Sequence, residues 1–202
     1  MPAQPDPDAA LMLRVKRGDR EAFVALVEKY KQPVFNLVAR ILRDETEAED
    51  VAQNVFIQVH RSAARYQPSA KFTTWLFTIA RNLCLNEIRR RARHPADSLD
   101  APADAGEDSP ARQFEDVKAA APDEAALQRE LAGKVEEALA ALPENQRTAI
   151  ILFQRQEMSY EEIAEVIGCS LSSVKSLIFR ARETLKERLK AYLQTGGWTD
   201  EK

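Results

Sequence analysis

The sequence predicts an all-α protein that consists of two small helical domains joined by a flexible acidic linker. Apolar residues recur at the i, i+3, i+4 and i+7 spacing of amphipathic helices on both sides of residues 96–126. Residues 96–126 themselves are rich in Ala, Asp and Pro and hold few large apolar side chains, so they cannot bury a core. The predicted organisation is a disordered tail at 1–8, a first domain at 9–95, the linker at 96–126, a second domain at 127–194 and a tail at 195–202.

Composition excludes several functional classes. The 202 residues, 45% of them hydrophobic, suffice for one domain or two small ones. Cys84, Cys169, His60 and His94 stand far apart, which argues against a metal site, a disulfide framework or a cofactor and favours a reduced, cytoplasmic protein. No apolar run reaches membrane-spanning length, and the N-terminal residues MPAQPDPDAA are too acidic for a signal peptide, so no membrane insertion is expected.

The first domain is predicted to begin with two helices. A short amphipathic helix at 9–17 is stopped by Gly18, and Asp19 caps a second helix that runs to residue 42. Pro33 interrupts the second helix and predicts a kink or a break. Asp44 and Glu47 then have the spacing of a capping box for a third helix at about 46–63.

The third helix has an unusual outer face. Its polar side includes Asp50, Gln53, Asn54 and Ile57, at i, i+3, i+4 and i+7. An apolar Ile57 within a polar face suggests a surface that binds another protein. A solvated face with one exposed apolar residue is an equally good interpretation of this pattern alone.

The loop at 66–71 and the long helix at 72–94 combine aromatic and basic residues. One helix face carries Asn82, Asn86, Arg89, Arg90 and Arg93. Amide side chains can read base edges, and arginines bind phosphates. A basic last turn could instead only complement the helix dipole, although five arginines, with Arg81 and Arg91 beside Arg89, Arg90 and Arg93, exceed that need. The nearby aromatics suit single-stranded DNA, where unstacked bases need flat platforms, although a lone Trp is more typical of a core; they are Tyr66, Phe72, Trp75 and Phe77.

Charge is distributed unevenly along the chain. The linker, which follows Pro95, carries nine acidic and two basic residues, whereas the whole chain has a formal net charge of −3. The rest of the chain is therefore net positive by about four charges. Each predicted domain ends in a basic helix.

The second domain contains the pattern of a DNA-binding helix-turn-helix. After helices at about 127–141 and 144–156, Ser159 and Glu162 form a capping box, and Gly168 and Ser170 define a turn before the second helix of the motif. That helix buries one apolar stripe and exposes Ser172, Lys175, Ser176, Phe179 and Arg180, with Arg182 among the basic residues that follow. A solvent-facing Phe179 among bases fits contact with a thymine methyl group and with phosphates. The alternative is an ordinary helical hairpin.

Three motifs together resemble those of an extracytoplasmic-function sigma factor, the minimal sigma-70-type initiation subunit of bacterial RNA polymerase. They are EAEDVAQNVFIQVH at 47–60, FTTWLFTIARNLCLNEIRRR at 72–91 and LPENQRTAIILFQRQEMSYEEIAEVIGCSLSSVKSLIFRARETL at 142–185. Their order and spacing around an acidic linker are more specific than any one of them. The resemblance implies a region 2 helical bundle followed by a region 4 helix-turn-helix.

The resemblance also implies partners and site residues. Asp50, Gln53, Asn54 and Ile57 match the face that docks on the clamp helices of the largest polymerase subunit, and region 4 is expected at the flap of the second-largest subunit. The loop that contains Tyr66 and Lys71 matches the segment that captures a flipped base of the −10 promoter element, with Asn82 and Asn86 nearby and Arg89, Arg90 and Arg93 on the same helix. Ser172, Lys175, Ser176, Phe179, Arg180 and Arg182 match the region that reads the −35 element. An anti-sigma protein that covers both domains is a further expected partner.

Two other functions compete with this interpretation. A dimeric transcriptional regulator with a helix-turn-helix would share residues 142–190, but it would give no reason for the basic helix at 72–93 or for the exposed Ile57. An enzyme could be imagined around Asp50, His60 and Cys84, which share no catalytic motif. The sequence therefore favours a non-catalytic DNA-binding subunit.

Overall fold

The computed structural model describes residues 6–93 and 122–195, with the side chains of 122–128, 191 and 193–195 excepted. In these residues the secondary structure is entirely helical, which confirms the all-α prediction. The N-terminal domain contains α1 (Pro7–Lys16), α2 (Arg20–Leu42), α3 (Glu45–Ser62), a 3₁₀ turn (Ala63–Arg65) and α4 (Phe72–Arg93). The C-terminal domain contains α5 (Pro122–Ala140), α6 (Glu144–Arg155), α7 (Tyr160–Ile167) and α8 (Leu171–Thr195). The tail at 1–5, most of the predicted linker and residues 196–202 lie outside the described residues.

The core of the N-terminal domain forms where α2, α3 and α4 pack together beneath α1. Each helix contributes the apolar stripe that its sequence predicts, and burial of a large side chain stabilises the fold by about 1.5–3 kcal/mol. The fully buried side chains of this core include Met12, Leu26, Val34, Leu37, Val38, Phe72, Leu76 and Phe77.

The structure corrects three details of the predicted N-terminal domain. Helix α1 begins at Pro7, and Asp6 caps it, so residues 6–8 are ordered rather than part of a disordered tail. Helix α2 continues through Pro33 without a break, since Tyr30, Val34 and Leu37 on either side of it are buried in one apolar face. Asp44 does cap α3 by accepting the Glu47 N–H, but the Glu47 carboxylate binds Arg91 of α4 instead of completing a capping box.

The C-terminal domain has the predicted helix-turn-helix. Ser159 and Glu162 form the reciprocal capping box at the start of α7, and Gly168 ends that helix with a left-handed φ of 74°. Ser170 then accepts the Ser173 N–H at 3.2 Å at the start of α8. Helix α5 starts at Pro122, five residues before the prediction, so the end of the predicted linker is helical.

The two domains contact each other through α4 against α7 and α2 against α6. At the centre of this interface lies the Arg81 guanidinium of α4, whose side chain is only 9% exposed. It donates to the Asn145 side-chain oxygen at 2.7 Å and to the Ile167 carbonyl at 3.3 Å, and it lies 3.5 Å from a Glu144 carboxylate oxygen. Arg81 therefore joins the domains, although the sequence pattern counts it among the five arginines that exceed what the dipole of this helix needs.

Two further ion pairs cross the same interface. Arg40 of α2 pairs with Glu136 of α5 at 2.6 Å, and Lys71, just before α4, pairs with Glu162 of α7 at 2.7 Å. In these pairs, as in the Arg81 pair, the cation belongs to the N-terminal domain and the carboxylate to the C-terminal domain. Charge complementarity thus orients the domains relative to each other.

Replacement of Arg81 is expected to separate the two domains. The Arg81→Ala variant leaves Asn145 and Glu144 without their shared donor. Because both of these side chains remain accessible to water, the loss is expected to cost about 1.5–3 kcal/mol, as for a hydrogen bond to a charged group. Small-angle scattering should show a larger radius of gyration, while circular dichroism keeps its helical signal. Arg89→Ala, which removes an exposed arginine from the same helix, is the matched control. Identical scattering curves for Arg81→Ala and the native chain would contradict this role.

Candidate nucleic-acid interface

Helix α8 presents one polar and basic face outside the C-terminal core. Val174, Ile178 and Ala181 are buried against the other helices of the domain. The opposite side exposes five of the residues predicted from the sequence, which are Ser172, Lys175, Ser176, Phe179 and Arg180. Phe179 is 66% exposed although it is apolar and well ordered by its helix. A large exposed aromatic beside two cations is the arrangement that fits a base edge flanked by phosphates.

A groove runs beside this face. Its volume is about 440 Å³, and Ser172, Ser176 and Arg180 form part of its wall together with Asn145 of α6. Because Asn145 also accepts from Arg81, the domain interface lies directly next to the exposed face of α8.

Arg182 lies on another side of α8. Its guanidinium stands 5.0 Å from the centroid of the Phe153 ring, which makes a cation–π contact with α6. The structure therefore does not place Arg182 with the other predicted DNA-binding residues of this helix, and its DNA contact stays a prediction.

The outer face of α4 carries the predicted amides and arginines. The exposed side chains on it are Asn82, Asn86, Arg89, Arg90 and Arg93. Arg89 donates to the Asn86 side-chain oxygen at 3.2 Å, while Arg90 pairs with Glu87 at 2.8 Å and with Glu47 at 3.4 Å. The hydrogen bond from Arg90 lowers the pKa of Glu87. Solvent-exposed pairs of this kind contribute little stability, so a phosphate can replace the carboxylates.

The loop before α4 is anchored by an inward-facing ring. Tyr66 is 2% exposed, and its ring lies 4.9 Å from Trp75 and 6.4 Å from Phe72 between centroids. Its hydroxyl is buried without a hydrogen-bond partner among the described residues, and burial together with Asp6 and Asp8 raises the pKa of Tyr66 to about 12.

The predicted aromatic platforms are therefore core residues in this conformation. Tyr66, Phe72 and Phe77 are buried, and Trp75 is half-buried. Aromatic residues in a sequence are compatible with two roles, since the same ring can stack on a base or fill a hydrophobic core. The sequence pattern alone does not distinguish these roles. Lys71 is the loop residue that was predicted to bind DNA and is exposed. The hydrogen bond that it donates to Glu162 raises the pKa of Lys71.

The predicted protein-binding face on α3 is exposed as expected. Asp50, Gln53, Asn54 and Ile57 all face solvent, and Ile57 is 46% exposed. A groove of about 310 Å³ separates this face from α4. Asn54 and Ile57 line one wall of it, and Asn86 and Arg90 line the other. No sequence pattern indicates that these two predicted surfaces share a groove, because they come from different helices.

The imagined catalytic group does not assemble. Cys84 is fully buried, and burial raises the pKa of its thiol to about 12. Asp50 and His60 are exposed ten residues apart on α3, which is about 15 Å of helix. His60 packs its ring edge-on against Phe23 at 5.1 Å.

Within residues 6–93 and 122–195, no group of three or more His, Cys, Asp or Glu side chains is placed to hold a metal ion. Among the helices of these residues, none has the length and apolar character that crossing a membrane requires.

The two domains match two known families. Residues 26–94 match the family described as Sigma-70 region 2, and residues 132–185 match the family described as Sigma-70, region 4. The RNA polymerase sigma-H factor of Pseudomonas aeruginosa is 37% identical over 187 residues, which cover 93% of this chain and 96% of that protein. The ECF RNA polymerase sigma-E factor of Escherichia coli is 35% identical over 191 residues, which cover 93% of this chain and 96% of that protein.

Two solved structures have a similar fold. CnrH, in complex with the cytosolic domain of CnrY, superposes with a TM-score of 0.66 at 26% identity over 92% of this chain and 99% of that chain. The sigma factor RpoE of Bartonella quintana, in complex with the anti-sigma factor NepR, superposes with a TM-score of 0.65 at 27% identity over 83% of this chain and 96% of that chain. Both family matches fall on the helical domains described above, and the relatives align along nearly the whole chain. This chain therefore belongs to the sigma-70 family of RNA polymerase sigma factors, within its extracytoplasmic-function group.

Proposed function

We propose that this sigma factor divides promoter recognition between two exposed helix faces, with α8 reading the −35 element and α4 holding the −10 element. The observation that carries the proposal is that the polar and basic residues predicted on each helix lie together and outside the core. Neither face is needed for packing in its own domain. A DNA-binding function gives both of them a purpose.

The face of α8 suits the major groove of duplex DNA. An α-helix fits that groove, and Arg180 could pair with a guanine while Phe179 contacts a thymine methyl group. The phosphate backbone can be bound by the other exposed residues of this face, which are Ser172, Lys175 and Ser176. Such contacts would set the position of the helix along the DNA. Arg182 contributes through its packing on Phe153 in this arrangement.

The face of α4 suits a strand that has left the duplex. Asn82 and Asn86 can hydrogen-bond the Watson–Crick edges of bases, which are accessible only after unpairing. Arg89, Arg90 and Arg93 continue along the same side and can follow the phosphates. Unstacking a base costs a few kcal/mol, and contacts with the loop at 66–71 and with α4 must offset that cost.

We also propose that Asp50, Gln53, Asn54 and Ile57 bind the clamp helices of the largest polymerase subunit, and that the C-terminal domain lies at the flap of the second-largest subunit. The support for the first contact is the exposed Ile57 within a polar rim, which has the anatomy of a protein interface. An anti-sigma protein is a further proposed partner, because both solved relatives named above are complexes with such proteins or with a cytosolic partner domain.

A dimeric transcriptional regulator is less consistent with these findings. Such a protein would account for the helix-turn-helix alone, whereas the relatives align along both domains. The proposed role is binding and melting of promoter DNA together with polymerase, in the cytoplasm and without a bond-making step. All tests below use holoenzyme assembled with core polymerase and a promoter selected from a random-sequence library.

The side-chain amides of Asn82 and Asn86 should be needed for promoter melting but not for binding to the −35 duplex. The double variant Asn82→Ala, Asn86→Ala removes two predicted base contacts without touching the core, so −35 duplex binding is expected to remain while open complexes are lost. Permanganate reactivity of unpaired thymines measures the open complex. The assignment is refuted if the double variant melts the promoter as the native chain does.

Arg180 should determine sequence preference at the −35 element. Arg180→Ala is expected to lose about 1–3 kcal/mol of discrimination at one base pair, as for a lost arginine–guanine contact. Lys186→Ala, on the same helix, is the control and should weaken binding equally for all sequences. A repeat of the promoter selection with each variant gives the readout, and an unchanged preference profile for Arg180→Ala would rule out direct reading.

Ile57 should contribute strongly to the affinity for core polymerase. Ile57→Asp is expected to cost at least about 2 kcal/mol of core affinity, as for a central apolar contact of an interface. Val24, which is 57% exposed on α2, gives the matched control, because Val24→Asp adds the same charge to another exposed apolar site and should change affinity by less than about 0.5 kcal/mol. Fluorescence anisotropy with labelled sigma factor measures both, and equal losses would contradict a specific docking face.

A further inference from the structure

The loop at 66–71 is held at both ends by residues from the start of the chain. At its first residue, the Lys16 ammonium of α1 donates to the Tyr66 carbonyl at 2.9 Å. After its last residue, the Phe72 N–H donates to an Asp6 carboxylate oxygen at 2.7 Å. The contacts span 50 and 66 residues of sequence, so the chain start closes a frame around the loop.

Asp6 caps two helices with one carboxylate. One oxygen accepts the Asp8 N–H at 2.9 Å at the start of α1, while the other accepts the Phe72 N–H at the start of α4. A carboxylate at each helix N-terminus satisfies an otherwise unpaired N–H and interacts favourably with the helix dipole. The position of the first turn of α4 is therefore tied to the position of α1.

A buried network fixes α1 in turn. The Asp8 side chain is 10% exposed, and it accepts from the Lys29 ammonium at 2.7 Å and from the Tyr30 hydroxyl at 2.6 Å. Burial and the hydrogen bond to Asp8 both raise the pKa of Tyr30. Since Lys29 and Tyr30 belong to α2, the frame around the loop rests on the core of the domain.

We propose that Asp6 and Lys16 are positioning residues for capture of the −10 strand. This inference rests on the function proposed above for the loop and for α4. Residues 6–16 precede the region that matches Sigma-70 region 2, which begins at residue 26. Asp6 and Lys16 act on DNA indirectly, by holding the loop at 66–71 in place. A loop that is already ordered avoids the entropic cost of about 1–2 kcal/mol per residue that ordering on binding would require.

The exposed part of the loop fits this role. Gln67, Pro68 and Ser69 face solvent, while Tyr66 and Phe72 on either side are buried. A DNA strand that binds the loop therefore contacts its exposed middle residues. The two anchors, Asp6 and Lys16, determine the position of those residues. Loss of either anchor should loosen the loop while leaving α8 and the Ile57 face unchanged.

The test compares two helix caps in the same domain. Asp6→Ala removes the cap shared by α1 and α4. Asp19→Ala removes the cap of α2, where Asp19 accepts the Ala22 N–H at 3.0 Å, together with an exposed pair to Arg14 of α1 at 2.8 Å. With holoenzyme on the selected promoter, Asp6→Ala is expected to lower permanganate reactivity by about tenfold, which is within the range of a lost cap. Affinity for core polymerase and for −35 duplex should stay native. Asp19→Ala should leave promoter melting and both affinities at their native values. Both variants are expected to lower the temperature at which the protein itself unfolds.

Conservative variants separate positioning from stability. Asp6→Asn keeps an oxygen that can accept the Phe72 N–H and should restore most of the melting activity. Lys16→Met removes the second anchor and should reduce promoter melting, whereas Arg17→Met, which alters an exposed cation at the C-cap of the same helix, should not. Equal melting defects in Asp6→Ala and Asp19→Ala, or native melting in Asp6→Ala, would overturn the inference.

The proposed function can fail separately. If the Asn82→Ala, Asn86→Ala variant retains melting in the same assay, α4 does not hold the strand and the proposed function is wrong. If that variant loses melting while Asp6→Ala keeps it, the function stands and only the positioning role falls.

Discussion

Helix α4 is packed on most of its circumference, and this constraint decides which of its side chains reach solvent. Its apolar side fills the N-terminal core with Phe72, Leu76 and Phe77, and Arg81 points across to the C-terminal domain. What remains is a narrow outer face of amides and arginines. A change in the packing of α4 would therefore rotate or bury that face, so the stability of the core and the exposure of the proposed DNA-binding residues are not independent.

Apolar packing and ion pairs both join the two domains, since, among the described residues, the buried apolar side chains form one continuous cluster and three ion pairs cross the interface. Arg81 is buried, whereas Lys71 of the second ion pair is 66% exposed on its side chain. The exposed pair contributes little stability and is screened by salt, so the better-buried Arg81 and Arg40 supply more of the polar contribution. Lys71 also belongs to the loop proposed to hold the −10 strand, and in this conformation its ammonium is paired with Glu162. A phosphate can take the place of Glu162 once the domains separate, and the cost of that exchange is small.

Local chemistry explains which parts of this structure were predictable. The capping box of Ser159 and Glu162 and the left-handed Gly168 were predicted, since each depends on residues three or four positions apart. The long-range anchors were missed: Asp6 meets Phe72 across 66 residues, and no periodic pattern encodes that distance. Tyr66 was predicted at the DNA surface but is buried, because an aromatic residue beside a basic helix has the same pattern in a core as on a platform.

The groove between α3 and α4 links the two surfaces that the sequence predicted separately. Ile57 and Asn54 line one wall, and Asn86 and Arg90 line the other. Arg90 also bridges the helices through Glu47, so its position depends on α3 as well as on α4. A partner that binds the α3 face changes the surroundings of Arg90, since it displaces water from the shared groove and lowers the local dielectric constant. Because Coulomb interactions strengthen as the dielectric constant falls, the attraction of Arg90 for a phosphate and its pairs with Glu47 and Glu87 would all strengthen with that partner bound. If the two faces act as proposed, polymerase docking and strand binding would therefore influence each other through this groove.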